Sequence, residues 1–124
     1  MRINLDGKVF APTFNSANGE VGDSTRFYYH QHNSKIWAEY SGGEIETGHL
    51  LGSLQSDGRL EFAYHHINRE GLIQIGRCVS IVELLPDGRV KLLESWQWLV
   101  ADRSSGTSEL IEVPSQESGS IVKP

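Results

Sequence analysis

The sequence predicts an all-β fold: an antiparallel up-and-down meander closing into a barrel of about eight or more strands. Three features point there. Ser56-Asp57-Gly58, Arg69-Glu70-Gly71 and Pro86-Asp87-Gly88 are three-residue loops of one shape, each between runs that read as strand. Such a loop is a type I turn closed by a residue in the left-handed region, where glycine costs least. No segment carries a convincing helical period. Every connection is also short, so consecutive strands are neighbours, and closure removes the exposed edges.

Taken in order, Lys8 to Phe14 reads as a short first strand and Asn15 to Ser24 as a polar, glycine-bearing loop. Thr25 to His32 alternates aromatic and polar residues, turns at Asn33-Ser34 and returns as Lys35 to Tyr40. Ser41-Gly42-Gly43 turns into Glu44 to Gln55. The three fixed turns then deliver Arg59 to Asn68, Leu72 to Leu85 and Arg89 to Val100. Ala101 to Ser108 reads as loop, and Glu109 to Val113 as a closing strand. This is a barrel in the calycin or streptavidin manner. Residues 1–113 form one domain, and 114–124, rich in Ser, Gly, Glu and Pro, read as a disordered tail.

Composition narrows the function. A chain of 124 residues and 13.8 kDa is one domain large enough for a real core. The charge of −5 and the lack of a Lys/Arg cluster argue against a nucleic-acid partner. No apolar stretch approaches membrane-spanning length, and Met1 to Asp6 lacks the apolar run of a signal peptide. Cys78 is the single cysteine, which excludes an internal disulfide and any cysteine-based zinc cluster. The expectation is a cytoplasmic protein with no nucleic-acid or membrane partner and no cofactor.

With the three turns pinned, cross-strand partners follow by counting outward. Leu54 faces Leu60, Leu50 faces Tyr64, Tyr64 faces Gly76, Cys78 faces Trp96 and Ser80 faces Glu94. Each hairpin puts even-numbered positions on one face, as period-two alternation requires. The odd face holds Glu61, Arg77, Glu83, Arg89, Lys91 and Gln97 and is the outside, with Glu83 opposite Lys91 as an expected ion pair. The even face, rich in Leu, Val, Phe, Tyr and Trp, is the lumen. Gly76 makes room for Tyr64 and Trp98, and Gly52 for Phe62. The two earlier turns admit loops of different length, so whether Trp37 or Ala38 points inward stays open.

Several lumen residues could carry chemistry. Glu94, beside Ser80, is a carboxylate in an aromatic setting, which is costly unless paired, hydrogen-bonded or protonated. It can bind a ligand amine or hydroxyl, act as acid or base, or be a buried group satisfied by Ser80 and a neighbouring Tyr or Arg. His66 and Gln74 near one rim can orient a polar ligand or serve one another. Trp96 and Trp98 present rings either to a ligand or to the core. Tyr29 and Gln31 join the same wall. The candidate site is thus Tyr29, Gln31, Tyr64, His66, Gln74, Glu94, Trp96 and Trp98, with Glu94 and His66 as the acid–base candidates. His30 and His32 share a strand face, but no third metal ligand can be placed by register, and no metal is assigned. His49 and His65 oppose one another on the outer face. Cys78 reads as a buried structural thiol.

Several stretches carry a family resemblance: Asn18-Gly19-Glu20-Val21, Trp37-Ala38-Glu39-Tyr40-Ser41-Gly42-Gly43, Gly76-Arg77-Cys78 with Ser80, Glu94-Ser95-Trp96-Gln97-Trp98, and Ser104-Ser105-Gly106. Through them the chain resembles a family of small uncharacterised bacterial proteins that often go by the name N-acetylglutamate synthase. Acetyl transfer of that kind needs a mixed α/β domain with a pyrophosphate-binding loop opening a helix, and these residues spell neither. The resemblance implies family and fold and brings no established active site. Ala101 stands before Asp102 where the family pattern has glycine, which bears on the shape of that loop.

The leading expectation is a small-molecule-binding barrel. The alternatives are a small acid–base enzyme using Glu94 or His66, and an interaction protein with a filled lumen. A lumen above roughly 300 Å³ favours the ligand, and a packed one the interaction protein. Ile73, Ile75, Val79, Ile81 and Leu93 face outward beside Ile67 and Leu99, an apolar patch that suggests a homodimer. The competing explanation is that Ile111 to Val113 or Ile121-Val122 folds back over it.

Overall fold

The computed structural model describes residues 3–114. Eight strands follow one another as β1 (Val9–Asn15), β2 (Arg26–His32), β3 (Lys35–Gly42), β4 (Ile45–Leu54), β5 (Arg59–Asn68), β6 (Ile73–Leu84), β7 (Val90–Trp98) and β8 (Ser105–Val113). All pairs are antiparallel, and β8 returns to β1 to close the barrel. Most bounds lie within a residue of the sequence expectation, and the last two strands differ more: β7 stops at Trp98, and β8 begins four residues before Glu109. Ala101 to Ser108 reads as loop, but the pairing of Gln97 with Ser105 through Ser95 with Thr107 overrides that local preference.

The three short turns set the register as their chemistry requires. Gly58, Gly71 and Gly88 have φ of 93°, 82° and 92°. Each donates its amide to the residue before the loop, Gln55, Asn68 and Leu85. Asp57 and Asp87 brace two of the loops by accepting the amides of Arg59 and Arg89. The partners counted from these turns are the observed ones, from Leu54 with Leu60 to Gly76 with Trp98. Glu83 does lie opposite Lys91, but the expected ion pair goes elsewhere: Lys91 Nζ meets Glu109 Oε2 of β8 at 3.2 Å.

Register irregularities explain what could not be counted. The β3–β4 ladder shifts between Tyr40 and Gly42, and the β4–β5 ladder between Ile45 and Thr47. Inward positions on β3 are Ile36, Ala38 and Tyr40, so Ala38 is inside and Trp37 outside. On β2 the inward residues are Phe27 and Tyr29. Ala101 and Arg103 in the last loop have φ of 56° and 57°, so Ala101 adopts the left-handed conformation that a glycine there would take at less cost.

One end of the barrel is plugged by the chain before β1. Leu5 is fully buried, its amide bound to Gln31 Oε1 at 2.8 Å, while Asp6 Oδ1 accepts the Gln31 amide. β1 pairs with β2 only near its start, through Val9 with Tyr28 and Phe10 with Phe27, and the two strands part toward the other end. Beyond that point the loop of residues 16–25 leaves the wall and crosses the mouth.

Glycine substitutions separate the two roles of this residue. Nothing lies within 4 Å of a Cβ at Gly58, so Gly58→Ala should cost about 1 kcal/mol, the left-handed penalty alone. A Cβ at Gly52 would strike the Glu61 carbonyl and the Phe62 side chain, and Gly52→Ala should cost about 3 kcal/mol from overpacking. Urea unfolding of the two variants checks the order; equal losses would contradict the register.

Candidate functional site

The mouth under the loop of residues 16–25 is where polar lumen residues converge. β5 supplies Phe62, Tyr64 and His66, β7 supplies Glu94, Trp96 and Trp98, and β3 adds Tyr40. The loop itself supplies Gly19, Glu20 and Val21 from above. Gly48 makes the corner possible: a Cβ there would sit 2.6 Å from Tyr40 Cζ and 2.7 Å from His66 Cβ.

Glu20 latches the loop to the wall. Its Oε1 is 2.8 Å from His66 Nε2, and its Oε2 accepts from Gln74 Nε2 at 2.9 Å and Asn68 Nδ2 at 3.2 Å. Partial burial works to raise the Glu20 pKa, but these hydrogen bonds outweigh it and hold the carboxyl below its usual range. Burial lowers His66, against the pull of Glu20, so the imidazole is neutral near pH 7. Its two nitrogens then have fixed roles. Tyr40, kept protonated by burial, donates its hydroxyl to Nδ1 at 2.9 Å, and Nε2–H donates to Glu20. Neighbouring contacts reinforce the latch: Trp98 Nε1–H donates to the Asn18 carbonyl at 3.1 Å, and Asn18 Nδ2 donates to Ser104 and Ser105 of the last loop and strand.

Below this sits Glu94, buried on β7. Ser108 Oγ donates to Oε1 at 2.7 Å and Ser80 Oγ to Oε2 at 3.4 Å. Burial pushes its pKa up to about 7, with the two hydroxyls working against the rise. Ser80 is the expected partner; Ser108, and not a Tyr or Arg, is the second one. A last strand beginning at Glu109 leaves residue 108 off the lumen face; the observed start at Ser105 pairs Ser108 with Glu94. Cys78 lies beside Ser80, and burial first, then the Glu94 charge, raises its pKa, so it stays a thiol.

Five expected residues line one cavity: Tyr64, His66, Glu94, Trp96 and Trp98. Gln74 belongs to the latch above it. Tyr29 is inward and fully buried, but outside the cavity lining, and its hydroxyl has no partner among the described residues. Gln31 is a correction: it lies at the plugged end, bonded to Leu5, Asp6 and Asn33, because its strand runs away from the mouth. On the outside, His30 Nε2 is held by Glu39 at 2.7 Å, and His49 and His65 rings face one another at 5.9 Å. Glu20, Tyr40 and Ser108 were not expected at the site. Asn18-Gly19-Glu20 carries turn chemistry in sequence, and nothing local ties it to residues 46 to 54 positions later.

The cavity is small. Its volume of about 40 Å³ has room for roughly three waters, far below the roughly 300 Å³ of a drug-sized pocket. The aromatic rings fill the rest, with Trp96 and Trp98 centroids 5.5 Å apart and Tyr64 5.8 Å from Trp98.

The family model described as avidin-like protein matches residues 3–113, the whole barrel from the plug to the end of β8. The chain belongs to the avidin-like family. No curated protein and no solved structure matches it. Membership of the avidin-like family agrees with the eight-stranded closed meander and with the small-molecule class of function.

Glu94 gives stability a distinctive pH dependence. Its pKa is raised from 4.5 to about 7 on folding, so between those values the native state holds a proton that the unfolded state has lost. Stability therefore falls as pH rises through this window, by about 3 kcal/mol from this residue. Glu94→Gln removes that slope, and chemical denaturation at pH 5 and pH 8 should show the variant gaining on the parent at pH 8. A constant difference between the two proteins would contradict it.

Proposed function

We propose that this protein is a small-molecule-binding barrel whose ligand rests on Glu94 between the aromatic walls, beneath the loop of residues 16–25. Avidin-like proteins bind small ligands such as biotin. The observation that carries the reading is Glu94 itself. A carboxylate whose partners among the described residues are two serine hydroxyls costs stability, and a binding site is where such a cost is retained. A ligand of biotin's size exceeds the cavity of about 40 Å³, so it is seated fully only if the loop lifts, breaking the Glu20 latch and the Trp98–Asn18 hydrogen bond.

The acid–base alternative has less support. Both nitrogens of His66 are engaged by Tyr40 and Glu20, and Cys78 is held as a thiol, so Glu94 has no activated nucleophile beside it. The name N-acetylglutamate synthase gains nothing from the fold, since no helix exists among the described residues to carry a pyrophosphate loop. Calorimetry with biotin and a panel of small metabolites, on the parent and on Glu94→Gln, tests the reading. A ligand bound by the parent should weaken at least about tenfold in the variant. Equal affinity in both proteins would remove Glu94 from the site.

By the measure of roughly 300 Å³ for a ligand pocket, the cavity of about 40 Å³ counts toward the second reading, an interaction protein that associates through its outer wall. Ile73 is 62% exposed and Leu51 68%, with Ile67, Ile75 and Ile81 also in water. Val79 and Leu93 lie between them, half-buried. Covering this wall recovers roughly 25 cal/mol per Å² of apolar surface. Of the two chain segments considered as its cover, Ile111 to Val113 is committed to β8, and Ile121-Val122 lies outside the described residues. The proposal is a homodimer packed wall to wall, one patch serving both subunits. Light scattering should give a dimer for the parent and a monomer for Ile73→Glu; a monomeric parent at high concentration would overturn it.

A further inference from the structure

We propose that the lumen cavity is a site for a compact ammonium group, such as dimethylammonium or the amine end of a longer ligand, seated between Glu94 and the aromatic rings. This rests on the reading of the lumen as a ligand site and names the ligand's chemistry.

Charge is the first argument. The cavity has a carboxylate at each end, Glu94 below and Glu20 above, and no Lys or Arg among its lining residues. The two carboxylates are not equally engaged. Glu20 accepts three hydrogen bonds from His66, Gln74 and Asn68. Glu94 accepts two, one of them long at 3.4 Å, so a carboxylate with about four acceptor directions keeps capacity for a new donor. With Glu94 ionised, an anion meets two like charges here and a cation balances them.

The walls are the second argument. Phe27, Tyr40, Phe62, Tyr64, Trp96 and Trp98 all line the same space. Aromatic rings attract a cation through their quadrupoles, most strongly when water is excluded. The buried Tyr29 hydroxyl, without a partner among the described residues, lies close enough to Glu94 for that charge to raise its own titration after burial. Size is the third argument: room for roughly three waters suits a head of about three heavy atoms.

Binding an ammonium requires Glu94 to be ionised, so affinity must rise with pH. The other titratable groups near Glu94 do not share this dependence. Tyr29, Tyr40, Tyr64 and Cys78 are held protonated by burial, and Glu20 is already ionised. His66 at the mouth is the remaining group, and the Glu94→Gln variant isolates its contribution.

The test is a titration of the full chain with dimethylammonium, followed by the indole N–H signals of Trp96 and Trp98 in two-dimensional NMR. Acetamide and acetate serve as neutral and anionic probes of similar size. Dimethylammonium should shift these signals saturably at pH 8, bind at least about fivefold more weakly at pH 5, and lose about tenfold or more in Glu94→Gln. Should the variant not fold, the pH dependence of the parent still decides. Acetamide binding as well as or better than dimethylammonium would overturn the ammonium assignment while leaving the lumen as a ligand site. No saturable shift with dimethylammonium, acetamide or acetate would overturn the assignment and count against the ligand reading too.

Discussion

A meander becomes a barrel only when its first and last strands pair, and here that seam is Val9–Asn15 against Ser105–Val113. Closure fixes which side of every strand is inside. It brings Ser108 of the last strand under Glu94 of the seventh, giving the buried carboxylate its shorter hydrogen bond. The seam also bends: the β1–β8 register shifts between Pro12 and Phe14, where proline cannot donate to the ladder. The chain leaves the wall after Asn15, and the loop that follows closes the mouth. Site and lid are thus both consequences of how the sheet closes.

Two carboxylates at the ends of one cavity meet opposite fates because their surroundings differ. Glu20 is only partly buried and gathers three donors, so ionisation is favoured and the loop is held down. Glu94 is deeply buried with two hydroxyls, and desolvation wins. Their effects on stability run in opposite directions. Glu20 stabilises the fold above the usual carboxylate range, and that contribution is lost as pH falls through its lowered pKa. Glu94 weakens the fold as pH rises toward neutrality. The neutral His66 sits between them, and its ring links the core through Tyr40 to the lid through Glu20.

Much of the wall was legible in the sequence, because three glycine-closed turns pinned the register from Leu50 to Trp98 and put Glu94, Trp96 and Trp98 inside. Register arithmetic fails where the ladder is irregular. The shifts at Tyr40–Gly42 and Ile45–Thr47 hid Tyr40, although it lies against His66. Contacts made by loops and plugs were also hidden. Glu20 reaches His66 from 46 positions away, and Gln31 serves the plug instead of the cavity. Neither contact has a periodic signature. Ser108 was lost because serine and glycine around it resemble a turn, a local preference that cross-strand pairing with Glu94 overrides.

The central claim is that Glu94 sits in the lumen as a carboxyl poised between its two charge states. Its side-chain carbon signal, followed by ¹³C NMR across pH with Glu94→Gln for assignment, measures this directly. A midpoint near 7 is the expected result. A midpoint near 4.5, the value of an ordinary exposed glutamate, would contradict it.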